Sequence, residues 1–157
     1  MKNRPSNTLR YSYTAPARTE ELRVIREAVE REALCFGFDP ETAYRVALAV
    51  DEACANIVEH AFRCVADESF SVEIMTEANR FVIKLFDSGK PFQPASLPEL
   101  DLKKRAVEHQ QGGLGLHIIN LVMDIVDYVN TSERPNCLRL VKFLNGSSGK
   151  ELKRDTL

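Results

Sequence analysis

Glu52 and Asn56 place a carboxylate and an amide four positions apart within a helical pattern. Residues four apart on a helix lie on one face, so both side chains point in the same direction. Asp87 and Gly89 directly follow an apolar strand pattern, and residues 112–116 open a further helical pattern with three glycines. In this order along the chain, the three segments fit one nucleotide-binding site.

The glycine cluster is the most specific of the three segments. Gly112, Gly113 and Gly115 allow backbone amides to face phosphate oxygens, and the helix that follows adds the positive end of its dipole. A glycine-rich helix start without any ligand is the alternative interpretation. Other phosphate-binding motifs are excluded, because the glycine spacing fits neither G-x-G-x-x-G nor a P-loop, and the protein-kinase signature set is absent.

The other two segments have ordinary explanations when each is taken alone. Glu52 and Asn56 lie off the apolar stripe of their helix, as polar residues on a solvated helix face also do. Asp87 with Gly89 fits a simple turn after a strand. A functional interpretation therefore depends on the combination of the three segments.

Residues 52–56, 87–92 and 112–116 resemble the N, G1 and G2 boxes of the GHKL ATPase/kinase superfamily, whose members bind ATP in a Bergerat fold. The resemblance covers roughly residues 8–145 and is strongest to the anti-sigma-factor serine/threonine kinases of bacterial partner-switching systems. Pro91 stands where the broad superfamily usually has a glycine, and the Pro-Phe pair is familiar in that subgroup.

The resemblance implies a role for each polar residue of the first two segments. Glu52 would be the general base that takes the proton from an attacking hydroxyl. Asn56 would hold a magnesium ion that bridges the phosphates. Asp87 would accept a hydrogen bond from the exocyclic amino group of adenine, and Gly89, followed by Pro91, would let the backbone approach the base.

By the same resemblance, the phosphates would lie against the third segment, namely Gly112, Gly113, Leu114, Gly115 and Leu116. Residues 93–111 occupy the place of the ATP lid and include the basic run Lys103, Lys104 and Arg105. A basic lid residue such as Arg105 could pair with the γ-phosphate when the lid closes. A solvated basic run is an equally good interpretation.

The length predicts a single domain over residues 1–157, in which the resemblance implies a core at about 8–145, followed by a polar tail at 146–157. The net charge of −2 and the pI of about 6.0 give no electrostatic reason to expect nucleic-acid or membrane binding. No apolar run approaches the roughly 20 residues of a spanning helix, and no apolar leader is visible. The four cysteines form no C-x-x-C pair, which is typical of free thiols, and we expect a cytoplasmic location.

Hydrophobic periodicity predicts alternating helices and strands. The first helix is expected to begin at Thr19 and to end at Gly37. The second is expected to begin at Asp39-Pro40, and its buried apolar stripe extends to Ala61. A third helix is predicted over residues 115–123, and strands over residues 9–14, 70–75, 81–86, 125–130 and 137–144. With the resemblance, this predicts an α/β (α+β) two-layer sandwich in which a mixed, mostly antiparallel sheet carries helices on one face.

The function that the resemblance implies is an ATP-dependent serine/threonine protein kinase that is also an anti-sigma factor. It would phosphorylate a small anti-sigma-factor antagonist and would hold a sigma factor away from RNA polymerase. Its ligands would be ATP and Mg²⁺, its assembly a homodimer, and neither nucleic acid nor membrane would be a partner. Two alternatives are the detached ATP-binding domain of a histidine kinase and a non-catalytic module that uses ATP to stabilise its partner-binding shape.

Overall fold

A computed structural model describes residues 7–61, 68–90, 114–129 and 135–144 of the chain, and its centre is a five-stranded sheet. The strands are β1 (Thr8–Pro16), β2 (Ser69–Glu77), β3 (Arg80–Asp87), β4 (Ile125–Val129) and β5 (Asn136–Phe143). Their order across the sheet is β1-β2-β3-β5-β4, and each pairing is antiparallel. The prediction of a mostly antiparallel sheet is confirmed.

Three α-helices lie against this sheet in the described part of the chain: α1 (Glu20–Phe36), α2 (Pro40–Asn56) and α3 (Leu114–Val122). One core cluster joins residues of all three helices to the same face of the sheet. Ile25 of α1, Val50 of α2 and Ile119 of α3 are fully buried examples, one from each helix. The predicted two-layer sandwich with helices on one face is therefore confirmed.

Local sequence signals determine where α1 ends and α2 begins. Gly37 adopts φ 115°, a left-handed conformation that favours glycine, and its N–H donates to carbonyl oxygens of the last turn of α1. Asp39 caps α2, because its carboxylate accepts hydrogen bonds from the backbone N–H of Thr42 at 3.0 Å and from its hydroxyl at 2.6 Å. These bonds stabilise the ionised form and lower the pKa of Asp39. Pro40 follows as the first residue of the helix.

The start of α1 differs from the prediction in one detail. Thr19 directly precedes the helix, as expected, but its side chain makes no capping hydrogen bond. The reason is its backbone conformation, since φ −65° and ψ −26° are already helical, whereas a capping side chain normally projects from an extended residue. The acidic residues Glu20 and Glu21 still occupy the first turn, where negative charge is favourable.

The second predicted helix changes character after Asn56. The regular α-helix ends there, and Ile57–Ala61 forms a π-helical segment. The apolar stripe continues across the junction, with Ile57 and Val58 both buried. Periodicity therefore predicted the correct buried face, but it could not distinguish an i→i+5 from an i→i+4 hydrogen-bond pattern over a single turn.

No helix in the described ranges is long and apolar enough to cross a membrane. The free-thiol prediction is confirmed for the three cysteines that the structure describes, Cys35, Cys54 and Cys137. Cys64 lies outside the described residues.

Candidate functional site

Glu52 and Asn56 lie outside the fully buried stripe of α2. Both side chains are half-buried, whereas Ala53 and Cys54 between them are buried. Asn56 is the last residue of α2, directly before the π-helical segment. Such π turns occur frequently at functional sites. The prediction that this pair lies off the buried stripe is confirmed.

The adjacent carboxylate, Asp51, faces α1 instead. Its Oδ2 lies 3.8 Å from a guanidinium nitrogen of Arg26, while its Oδ1 is buried with no hydrogen-bond partner among the described residues. Burial raises the pKa of Asp51, and the charge of Arg26 opposes that shift. Because successive helical residues point about 100° apart, Glu52 and Asp51 have separate surroundings.

Cys54 offers no competing nucleophile at this site. It is completely buried in the core, and burial raises the pKa of its thiol. Since the thiolate is the reactive form, Cys54 remains an inert thiol at neutral pH. The polar side chains that could take part in chemistry on this part of α2 are therefore those of Glu52 and Asn56.

The first turn of α3 lies against the side chain of Glu52. An atom placed in the Cβ position of Gly115 would lie 2.5 Å from Oε2 of Glu52 and 3.5 Å from its Cβ. Real Cβ atoms essentially never approach another atom that closely. Glycine at position 115 therefore makes this packing possible, and it joins the first and third predicted segments.

The start of α3 has the properties of an anion-binding helix end. The first N–H groups of an α-helix have no acceptor inside the helix, and the dipole is positive there. Leu114, the first residue, is 58% exposed, whereas Leu116 is half-buried and packs against the core. The Glu52 carboxylate thus lies beside a helix N-terminus that can bind phosphate oxygens.

The second segment is a hydrogen-bonded cluster at the end of β3. Asp87 is only 5% exposed, and its Oδ1 accepts a hydrogen bond from the backbone N–H of Gly89 at 2.9 Å. The same oxygen accepts a second bond, also of 2.9 Å, from Nδ2 of Asn136. That amide group donates further to the carbonyl oxygen of Gly89 at 3.0 Å.

Asn136 is the site residue that sequence reasoning missed. It lies between the predicted strands 125–130 and 137–144, so the sequence pattern assigns it to their connection. The structure instead makes Asn136 the first residue of β5, where the antiparallel register pairs it with Asp87 across 49 positions of sequence. No local signal marks such a partner, because it depends on the register between β3 and β5.

Four predicted site residues, namely Pro91, Arg105, Gly112 and Gly113, lie outside the described residues. Their assignments remain predictions. Among the described residues, the Glu52 side chain packs against Gly115, and the Asp87 carboxylate accepts hydrogen bonds from Gly89 and Asn136.

The sequence is similar to those of known proteins over most of its length. Residues 15–142 match the sequence profile of the histidine kinase-like ATPase domain. The serine-protein kinase RsbW of Halalkalibacterium halodurans is 32% identical over 135 residues, which are 83% of this chain and 81% of that protein. Its counterpart in Bacillus thuringiensis, also named serine-protein kinase RsbW, is 31% identical over 119 residues, or 73% of this chain and 74% of that protein.

The fold is also similar to that of a solved structure. A chain in the SiaB–SiaC complex from Pseudomonas aeruginosa superimposes with a TM-score of 0.65, covering 85% of this chain and 89% of that chain. Its sequence identity is 18%, so this likeness concerns the fold alone. The profile match over residues 15–142 and the two relatives show that this chain belongs to the histidine kinase-like ATPase family.

Proposed function

We propose that the protein is an ATP-dependent serine/threonine protein kinase that acts as an anti-sigma factor. It phosphorylates a small anti-sigma-factor antagonist, and it sequesters a sigma factor when the antagonist is phosphorylated. The observation that carries the proposal is the contact between Glu52 and Gly115, which puts a carboxylate beside a helix N-terminus, a kind of helix end that favours anions. The two relatives named serine-protein kinases support the choice of reaction.

Adenine recognition is assigned to the end of β3. The nearly buried Asp87 carboxylate accepts a hydrogen bond from the exocyclic amino group of adenine. Guanine carries a carbonyl oxygen at that position, which offers no donor to a carboxylate. Gly89 and Pro91 border the base, while residues 112–116 surround the phosphates, with Arg105 of the lid as a candidate partner for the γ-phosphate.

The donor set at the end of α2 fits a phosphate-bound magnesium ion. No group of three His, Cys, Asp or Glu residues that could form an all-protein metal site occurs among the described residues. Mg²⁺ typically binds one or two protein oxygens and completes its octahedron with waters and substrate phosphates. The amide oxygen of Asn56 is the protein ligand that we assign to it. When bound, the ion would neutralise part of the phosphate charge.

Phosphotransfer uses Glu52 as the general base. The hydroxyl oxygen of the antagonist's serine or threonine attacks the γ-phosphorus, and its proton passes to the Glu52 carboxylate. The bond between the γ-phosphorus and the β–γ bridging oxygen breaks, and ADP leaves. A carboxylate that is half-buried, as Glu52 is, remains accessible to a protein substrate.

The remaining parts of the proposal concern assembly and location. We assign residues 1–157 to one kinase domain that forms a homodimer and works in the cytoplasm, where a sigma factor meets RNA polymerase. The edge strand β1 is the candidate dimer contact, because its outer edge has no neighbouring strand in the described sheet and its Leu9 is 57% exposed.

Asp87→Asn is expected to raise the dissociation constant for ATP by about 10- to 100-fold. The amide oxygen can still accept the bonds from Gly89 and Asn136, so the NH₂ group takes the place of Oδ2 and meets the adenine amino group as a second donor. Losing a hydrogen bond to a charged group costs about 1.5–3 kcal/mol. Calorimetric titration with Mg-ATP measures the change, and Asp127→Asn on β4 is the control. Unchanged affinity would remove Asp87 from the nucleotide site.

A labelling experiment tests the reaction itself. The purified protein is incubated with γ-labelled ATP, Mg²⁺ and a candidate antagonist, and the labelled amino acid is identified. We expect acid-stable label on a serine or threonine of the antagonist. Acid-labile label on histidine would favour a histidine kinase domain instead. ATP-dependent binding of the antagonist without any label would favour a non-catalytic binding module.

A further inference from the structure

Asn136 hydrogen-bonds to two groups of the candidate nucleotide site, the carboxylate of Asp87 and the backbone of Gly89. Its side chain is on the first residue of β5, and the residue is 4% exposed. Nδ2 donates to Oδ1 of Asp87 at 2.9 Å and to the carbonyl oxygen of Gly89 at 3.0 Å. Both N–H protons of the Asn136 amide are therefore used, one in the bond to the Asp87 side chain and one in the bond to the Gly89 carbonyl in the turn after β3.

The two hydrogen-bond donors that contact Asp87 both bond to the same carboxylate oxygen. Gly89 N–H and Asn136 Nδ2 both bond to Oδ1, which leaves Oδ2 without a donor from the described part of the chain. A carboxylate that is held through one oxygen has a restricted rotation about its last side-chain bond. The direction of the acceptor that remains for a ligand is then fixed.

We propose that Asn136 is a positioning residue for adenine selectivity, which holds Asp87 so that Oδ2 is the oxygen presented to the 6-amino group of the base. The inference rests on the proposed function, since it deepens the assignment of Asp87 to adenine. Asn136 does not touch the nucleotide. It acts through Asp87, and its second bond keeps the Gly89 backbone at a constant distance from that carboxylate.

The test compares ATP with purine riboside 5′-triphosphate, which lacks the 6-amino group and is otherwise the same. The measured quantity is the ratio of the two dissociation constants with Mg²⁺ present. For the unmodified protein we expect a preference for ATP of about 10–100-fold, the value of one hydrogen bond to a charged group. Asn136→Ala should reduce that preference at least about threefold, but not to the value for Asp87→Asn, because the carboxylate and its bond from Gly89 N–H remain.

Two further variants separate positioning from general destabilisation. Leu138→Ala removes a partly buried side chain that packs against the core two residues along β5, opposite Leu85 rather than Asp87, so it should lower stability and leave the ratio unchanged. Asn136→Ser is a second truncation, since its hydroxyl ends one bond short of the Nδ2 position and loses the direct bond to Asp87, and its ratio should also fall below that of the unmodified protein. If Asn136→Ala does not fold, the comparison of Asn136→Ser with the unmodified protein decides the question.

The outcomes distinguish this inference from the proposed function. If Asn136→Ala weakens both nucleotides equally and the ratio stays at the unmodified value, Asn136 is only structural and the inference is overturned. If Asp87→Asn lowers the ratio while neither Asn136 variant does, the ATP site stands and only the positioning role fails. If Asp87→Asn leaves the ratio unchanged, the assignment of Asp87 to adenine fails, and the inference fails with it.

Discussion

Glu52→Gln is expected to slow phosphotransfer to the antagonist by about 10²–10⁴-fold, the usual contribution of a general base. Glutamine has nearly the same shape as glutamate, so the packing against Gly115 is retained, but the amide cannot take the proton of the attacking hydroxyl. Binding of ATP and of the antagonist should remain close to that of the unmodified protein. Single-turnover measurements with saturating Mg-ATP report the chemical step separately from binding.

Asp51→Asn is the matched control for that experiment. It removes one carboxylate charge from the adjacent position of α2, but Asp51 faces Arg26 and the core rather than Gly115. We therefore expect its phosphotransfer rate to stay close to the unmodified value. If Glu52→Gln phosphorylates the antagonist as fast as the unmodified protein, or if both variants slow the reaction equally, Glu52 is not the base.

Most of the fold could be predicted because its signals are local. Gly37 ends α1 through a left-handed backbone that glycine adopts without strain, and the Asp39-Pro40 pair begins α2 through a capping carboxylate and a preset φ. The alternation of apolar residues in β2 and β3 predicted both strands to within two residues of their observed ends. These signals need only a few neighbouring residues, so a single sequence contains them.

The contacts within the site could not be predicted, because they depend on how distant elements meet. Sequence indicated that Glu52 and Asn56 share a helix face, but the Oε2 contact at position 115 requires the packing of α3 on α2. The bond from Asn136 to Asp87 requires the register of β5 on β3. For the first contact the sequence identified both residues but not that they touch, and for the second it identified Asp87 but not Asn136.

Gly115→Ala is expected to separate stability from catalysis. Alanine is the better helix former by up to about 1 kcal/mol, so α3 and the fold should be unharmed or slightly stabilised. The new methyl group would lie 2.5 Å from Oε2 of Glu52, which is the end of a flexible side chain and can rotate away. A displacement of about 1 Å at a catalytic group can cost about 10²-fold in rate. Thermal unfolding and single-turnover phosphotransfer measure the two effects.

Asn120→Ala is the control for helix propensity, because Asn120 is an exposed residue of α3 whose side chain bonds only to the Leu116 carbonyl in the described structure. It should stabilise the helix and leave phosphotransfer unchanged. The double variant Gly115→Ala/Glu52→Gln decides the mechanism. If Gly115 acts through Glu52, the double variant is no slower than Glu52→Gln alone, since both changes disable the same group. If instead the rate losses of the two single variants multiply in the double variant, Gly115 acts independently of Glu52, by allowing the phosphates to approach the backbone.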